Sequence, residues 1–357
     1  MGVRVVVGMS GGVDSSVAAL LMRDAGHDVL GVTMQIYSGR AVDGPVPDSC
    51  YGPGEAADIQ EAARICASLA IPHRVVDLRD EYRSLVLDYA RQEYLAGRTP
   101  NPCVMCNQRV KFGLMLEKLV ASSRVDFDLF ATGHYCQVVS MPDTGRRAIR
   151  VAQDPSKDQS YFLCMLTQEQ LSRVIFPLGG MRKPEVREIA RGAGLSNHDR
   201  AESQDFAAGG YRVAVAMPEK EGPITGADGT VIGRHKGIWG YTIGQRKGLG
   251  VGGGAPLYVT GIDADSNTIV AGPETSLYKD ELVARDVNWA AVPCPEQPVR
   301  LSVKIRYRNS AVPATVTPLP DGRARVSFDQ KQRAIALGQW AVFYDGDILV
   351  GGGVISG

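Results

Sequence analysis

With 357 residues, 44% of them apolar, and 39 Lys and Arg balanced by 39 Asp and Glu, the chain has material for two or three packed domains and carries no net charge. A polycation, a disordered chain and a fibrous repeat are excluded, and no apolar run approaches the length of a bilayer-spanning helix. Met1 to Val7 lack the basic, apolar and small-residue layout of a secretory leader, and the seven scattered cysteines fit a reducing compartment, so a cytoplasmic protein is expected.

Arg4 to Val7 reads as a buried strand, Ser15 to Ala25 as a helix, Asp28 to Ile36 as a second strand, and Glu55 to Ala70 as an Ala-rich helix stopped by Pro72. His73 to Leu78, Glu81 to Leu95 and Leu129 to Thr132 continue the alternation of strand, helix and strand. That alternation predicts an α/β domain over residues 1–205, a parallel sheet with helices on both faces. From Gly226 the glycines crowd, through Gly229, Gly233, Gly237, Gly240, Gly244, Gly248 and Gly250 to Gly252–Gly254. Such density opposes long helices, and a small, mostly non-helical domain is expected over 206–278. Val299 to Tyr307, Ala324 to Phe328 and Ala341 to Phe343 are short alternating runs among prolines and glycines, predicting a small antiparallel barrel or sandwich over 279–357.

Gly8-Met9-Ser10-Gly11-Gly12-Val13-Asp14-Ser15 leaves the first strand and enters the first helix. Glycines let a backbone approach a polyanion, while the amides of the loop and helix start, with the Ser10 and Ser15 hydroxyls, donate to phosphate oxygens. The loop has neither the Walker lysine nor the three-glycine dinucleotide spacing, and a plain strand-to-helix turn is the alternative.

Further on, Pro100-Asn101-Pro102-Cys103-Val104-Met105-Cys106 leads into a helical pattern containing Arg109 and Lys111. A thiol near a helix start, with cations close by, has its thiolate favoured, which marks Cys106 as a candidate nucleophile. A packing pair or part of a zinc site is the blander reading, yet no second Cys-x-x-Cys completes four ligands. Between Arg300 and Arg333, Arg300, Lys304, Arg306, Arg308, Arg323, Arg325, Lys331 and Arg333 face only Asp321 and Asp329. Lys304, Arg306 and Arg308, alternating on one strand, would make a cationic strip for phosphates; Tyr307 and Trp340 are candidates for stacking on bases.

Ser10-Gly11-Gly12-Val13-Asp14-Ser15 is similar to the pyrophosphate loop of the ATP pyrophosphatases, an adenine nucleotide alpha hydrolase-like fold. With Pro100 to Gly113, Ala131-Thr132-Gly133-His134-Tyr135, Lys157 to Leu163, Gly240 to Gly250 and Lys304 to Arg308 in the same order, the chain resembles the MnmA family, bacterial tRNA-uridine 2-sulfurtransferases. The resemblance implies ATP-dependent adenylation of the C2 oxygen of the wobble uridine of tRNA, then sulfur transfer to give 2-thiouridine. It implies ATP at Gly8, Met9, Ser10, Gly11, Gly12, Val13, Asp14, Ser15, Met34 and Gly133, with magnesium and Asp14 as a candidate ligand. Cys106 would be the nucleophile; Asn101, Pro102 and Cys103 would face the base; and His134, Lys157, Asp158, Gln159, Arg306, Tyr307 and Gln339 would touch the tRNA. A persulfide donor or sulfur-relay protein would be the second partner, and the chain is expected to be a monomer with no membrane contact. The rival function is a synthetase or amidotransferase of the same fold that adenylates a small molecule.

One departure from the family matters. Ser203-Gln204-Asp205-Phe206-Ala207-Ala208 has Ala207 where the family commonly places a second cysteine, and Cys103 stands where it often has an aspartate. Two readings follow. Either Cys106 takes up persulfide sulfur and Cys103 resolves it through a local disulfide, or Cys103 and Cys106 are ligands of an iron–sulfur cluster, with Cys50, Cys66 or Cys164 as the third.

Overall fold

The computed structural model describes residues 2–39, 49–123, 126–201, 205–207, 217–251 and 255–357, with the backbone alone for Ser123 and Asp205–Ala207. Ser203, Gln204, Ala208 and Gly252–Gly254 lie outside the described residues. In chain order the first strands are β1 (Arg4–Gly8), β2 (Asp28–Gln35), β3 (Ser49–Tyr51), β4 (His73–Asp77), β5 (Leu129–Thr132), β6 (Gln137–Ser140), β7 (Arg147–Arg150), β8 (Val174–Ile175) and β9 (Asp205–Ala207). Five of them pair in parallel in the order β4-β2-β1-β5-β8. Val5, Val6 and Val7 have no exposed surface, because the central strand of a two-faced sheet is covered on both sides. Each such side chain contributes about 1.5–3 kcal/mol on burial.

Chain direction across the sheet reverses between β1 and β5, and the C-terminal ends of those two strands border the crevice where this topology receives ligands. Helix α1 (Val13–Asp24) opens directly from β1, and α2 (Glu55–Ser68) precedes β4. The strands and helices anticipated for this domain are present with ends moved by one or two residues. The helix expected over 81–95 runs from Arg79 to Leu95, with wider i→i+5 turns over Arg83–Leu87. The cysteine segment is likewise one helical run, Pro102–Met105, then i→i+5 turns over Cys106–Leu114, then Met115–Ser123.

The glycine-rich middle forms a four-stranded sheet of β10 (Gly222–Thr225), β11 (Val231–His235), β12 (Tyr258–Asp263) and β13 (Thr268–Gly272), in the order β11-β10-β13-β12, over a small core of Ile224, Val259, Ile269 and Ala271. After it come β14 (Tyr278–Trp289), β15 (Val299–Lys304), β16 (Val312–Leu319), β17 (Arg323–Arg333), β18 (Trp340–Asp345) and β19 (Ile348–Ile355). They are antiparallel, and pairing of β14 with β19 closes them, so of the two expected forms the barrel is the one adopted.

The barrel is stitched to the first domain. The hairpin β6–β7, which sequence periodicity did not reveal, extends the barrel sheet by pairing β7 with β19. Trp340 and Val342 of the barrel share one core with Phe130, Tyr161 and Leu163 of the first domain, and the Tyr161 hydroxyl donates to the Trp340 carbonyl at 3.1 Å. Trp340 is 1% exposed, so it is a core residue and not a platform for bases.

Candidate active site at the phosphate loop and cysteine helix

Between β1 and α1 the loop folds on its own hydroxyls. The Ser10 amide donates to Ser15 Oγ (3.1 Å), the Gly12 amide contacts Ser10 Oγ (3.4 Å), and the Ser15 and Ser16 hydroxyls donate to the Gly12 carbonyl (3.0 and 2.9 Å). Gly11 holds φ at +74°, and a Cβ there would meet the Asp58 carbonyl oxygen at 2.7 Å, so both backbone angle and space demand glycine. The cap residue of α1, Gly12, supplies no side chain, and the first amides of a helix have no intrahelical acceptor. They face the crevice as anion donors reinforced by the helix dipole.

Four residues that sequence reasoning did not find hold this loop from behind. Asn197 Nδ2 donates to the Gly11 carbonyl and to Ser16 Oγ, both at 2.9 Å; Arg200 donates to the same carbonyl at 3.3 Å and pairs with Asp58. Lys183, at the start of the helix Lys183–Gly192, buries its ammonium against both Asp14 oxygens (2.7 and 2.8 Å), and the Tyr135 hydroxyl donates to Asp14 Oδ1 at 2.7 Å. Nothing near Lys183 in sequence marks it; it becomes visible only when its helix packs on α1.

Asp14 is therefore occupied by a cation of the chain itself. Among the described residues no group of three Cys, His, Asp or Glu side chains is arranged to hold a metal ion. Cys66 lies in the core beneath Gly31, and Cys164 packs against Gly352, which removes both as third ligands beside Cys103 and Cys106. Cys50 is felt electrostatically by the pair, but the three thiols are not arranged to hold a metal ion either, so among the described residues the donor set fits neither a protein-held magnesium ion nor a three-thiolate cluster.

At the end of β5, Gly133 lies against the start of α1, where a Cβ would come within 2.8 Å of the Asp14 carbonyl carbon and the Ser15 amide. The next residue, His134, accepts or donates at 2.7 Å with Thr132 Oγ1 and sets its ring against Phe112 and Phe176. Phe112 belongs to the helical run that also carries Cys106, so two consecutive residues connect the phosphate loop to the cysteine helix. Lys111 completes the link. Its charge bears on Cys103, on Cys106 and on His134 together.

Asn101 caps the cysteine helix by accepting from the Cys103 amide (3.2 Å), and Pro102 follows at the first helical position, where it forfeits no bond. Gln339 of the barrel donates to the Thr99 and Pro100 carbonyls (2.8 and 3.3 Å), fixing the approach to that cap. Cys103 and Cys106 are half-buried and pack, with Met34 and Tyr307, against the same core. Burial pushes the Cys106 thiol up to about 11, Lys111 opposing, and the Cys103 thiol up to about 12. Against the activation expected from helix position and neighbouring cations, desolvation is the larger influence on both thiols and favours their protonated form. Burial likewise holds His134 well below the ordinary histidine range, so it stands neutral.

The residues assigned to RNA divide into two groups. Asp158 is consumed locally, accepting from Ala152 and Ser160 amides and the Ser160 hydroxyl, while Gln159 accepts from the Tyr135 amide; both shape the turn that presents Lys157. Arg306 donates to the Ile243 and Ala334 carbonyls (both 2.9 Å), joining the middle domain to the barrel. The strip expected along one strand fails because β15 ends at Lys304, and Arg300 is paired with Asp329 and Arg333 with Glu274. Tyr307 instead lies 4.4 Å from Phe162, ring centre to centre, with the Lys304 ammonium over its face at 5.3 Å. A groove of about 700 Å³ between Gln92–Arg98 and Ile262–Asp265 lies apart from these residues.

A parallel sheet with a glycine-serine phosphate loop at its switch point, carrying two β domains, defines an α/β enzyme of the ATP pyrophosphatase type. Family models match along the chain: a tRNA methyl transferase HUP domain at residues 3–207, a tRNA methyl transferase PRC-barrel domain at 213–273 and an aminomethyltransferase beta-barrel domain at 279–355. The tRNA-specific 2-thiouridylase MnmA of Geotalea uraniireducens is 45% identical over 99% of this chain and 94% of its own length. That of Geobacter metallireducens is 44% identical over 99% and 96%. The chain belongs to the MnmA family of tRNA-specific 2-thiouridylases. A solved 4-thiouridine synthetase–RNA complex with bound ATP overlaps 60% of this chain and 43% of that one at a TM-score of 0.34 and 17% identity, too remote to bear on mechanism.

Proposed function

We propose that this chain transfers AMP from ATP to the C2 oxygen of the wobble uridine of tRNA and then replaces that oxygen with sulfur, releasing AMP and pyrophosphate. The observation that supports the reading most is the short connection Gly133–His134, which packs on the start of α1 on one side and on Phe112 of the helical run carrying Cys106 on the other. Oxide is a poor leaving group from a pyrimidine carbonyl, and esterifying it with AMP makes it a good one. The loop amides hold the departing pyrophosphate, Lys183 keeps Asp14 and the helix start in place, and Lys111 offers positive charge to the leaving nucleotide. Asn101, Pro102 and Cys103 form the wall against which the base is read. Tyr307, Lys304 and Lys157 supply stacking and charge to the surrounding RNA. Magnesium in this scheme travels with the nucleotide's own phosphates.

The family description speaks of methyl transfer and the relatives' names of thiolation; a phosphate loop beside half-buried thiols suits the second. Mass spectrometry of tRNA nucleosides after incubation with ATP and a persulfide donor tests the proposal. Expected is 2-thiouridine that depends on ATP, and its loss by at least about a thousandfold in Cys106→Ser. Pyrophosphate release that needs no tRNA, with no thiolated nucleoside formed, would favour a small-molecule adenylating enzyme instead.

A further inference from the structure

Sulfur delivered as a persulfide is at the oxidation level of elemental sulfur, and leaving it on carbon as a thiocarbonyl needs two electrons. Two thiols of the protein supply them by forming a disulfide, so Cys106 needs a partner. Cys103, one helical turn away, is half-buried and shares the same desolvated layer.

A third thiol is present. Cys50, in β3, is exposed. Its neighbour Tyr51 is buried and stacks on Tyr82, with ring centres 5.5 Å apart and planes 9° from parallel, in the same core against which Cys103 and Cys106 pack. Charge on Cys50 is felt at Cys103, Cys106 and Tyr82, which places the three thiols in one neighbourhood without the arrangement of a metal site among the described residues. The partner strand of β3 is β9, in parallel register with Ser49 opposite Asp205 and Tyr51 opposite Ala207. Cys50 therefore stands one strand over from the segment in which this chain carries Ala207.

Resting on the thiolation reading above, we propose that Cys50 is the sulfur-accepting thiol of this enzyme and that it closes a disulfide with Cys106 at the end of each turnover. The Cys50 thiolate attacks the outer sulfur of a persulfide donor, forming a new S–S bond and expelling the donor as a thiolate. The outer sulfur on Cys50 adds to C2 of the adenylated uridine; the C2–O bond breaks and AMP leaves with the electron pair. Cys106, losing its proton to solvent, attacks the Cys50 sulfur. The bond to the base-borne sulfur breaks, its electron pair becomes the thiocarbonyl, and Cys50–Cys106 is left as a disulfide, which a dithiol reductant returns to two thiols. Exposure suits Cys50 to meet a donor, and burial suits Cys106 to act last, once the base is bound.

Cysteine persulfide and inorganic sulfide, each supplied with ATP and a tRNA transcript, separate the outcomes. Sulfide is already fully reduced and needs no second thiol. Cys50→Ser should lose persulfide-driven 2-thiouridine by about a hundredfold or more, and sulfide should rescue it. After one turnover of the wild-type enzyme without reductant, peptide mapping should find Cys50 joined to Cys106. A Cys103–Cys106 disulfide, or a Cys50→Ser enzyme that uses persulfide as the wild type does, overturns the proposal. Wild-type enzyme inactive with both sulfur sources would instead sink the thiolation reading on which it rests.

Discussion

Burial against the first-domain core costs the Cys106 thiolate more than Lys111 returns, so the protein without substrate holds this residue as a thiol. Its alkylation by iodoacetamide, followed on the Cys106 peptide, should therefore climb about tenfold per pH unit between about pH 7 and 10, with no plateau before then. A plateau near pH 8 would mean that the helix start and Lys111 dominate. The sign for stability is fixed by the same shift: a thiol raised from 9.0 to about 11 is favoured protonated in the fold, so its contribution is present below pH 9 and is lost as pH rises through about 11. The sequence singled out Cys106 through its motif, but its burial depends on a core drawn from distant parts of the chain, and no local pattern reports it. Lys183 was hidden for the same reason, 169 residues from its partner Asp14. Lys183→Met leaves that carboxylate, about a quarter exposed, without its cation, and urea unfolding should register a loss of about 1–3 kcal/mol. KM for ATP should rise in the same variant, because Asp14 is in the first turn of the phosphate-holding helix.

Strands β1, β2 and β5 were legible because a sheet covered on both faces demands runs of apolar, largely β-branched residues, whereas the edge strand β4 buries only Val76 and was legible through its two adjacent valines between the helices. The hairpin β6–β7 was not, since its four-residue strands bury little by themselves and gain partners only from β19, some two hundred residues later. The basic stretch after Val299 was read as one strand, yet the chain turns after Lys304, and its charges disperse into separate pairs and carbonyl bonds. The motifs also singled out the junction of β5 with the next turn, where Gly133 packs against the start of α1. Gly133→Ala tests how tightly that junction is built: its Cβ would press on the backbone of Asp14 and Ser15 at 2.8 Å, and neither atom can yield without moving the helix start. Stability should fall by about 1–3 kcal/mol. Pyrophosphate release should fall by about tenfold or more, a larger loss than the fold alone would explain. A variant with normal ATP turnover and only the stability loss would show that the loop tolerates displacement.

Three units can be traced in the chain, but the first and last are not energetically separate. Trp340 and Val342 enter the core that also buries Phe130, Tyr161 and Leu163, the Ser160 and Tyr344 hydroxyls meet at 3.1 Å, and Asn288 donates to the Cys164 and Leu166 carbonyls. Arg146 of the first domain donates to the Trp289 and Ala290 carbonyls of the barrel. The middle domain, by contrast, has its own small core. Segment-by-segment reading found three compositions but could not see this sharing, because it depends on residues about 180 positions apart. Trp340→Ala should remove about 3–5 kcal/mol, the ordinary cost of emptying a buried aromatic site. Because both domains line that site, calorimetry should show one transition moving down as a whole, with the Cys106 peptide losing hydrogen-exchange protection in step with barrel peptides. Were the barrel to melt early while the Cys106 segment kept its protection, the two domains would be independent folding units, and the barrel's part in holding the cysteine helix through Gln339 would carry no cooperative energy.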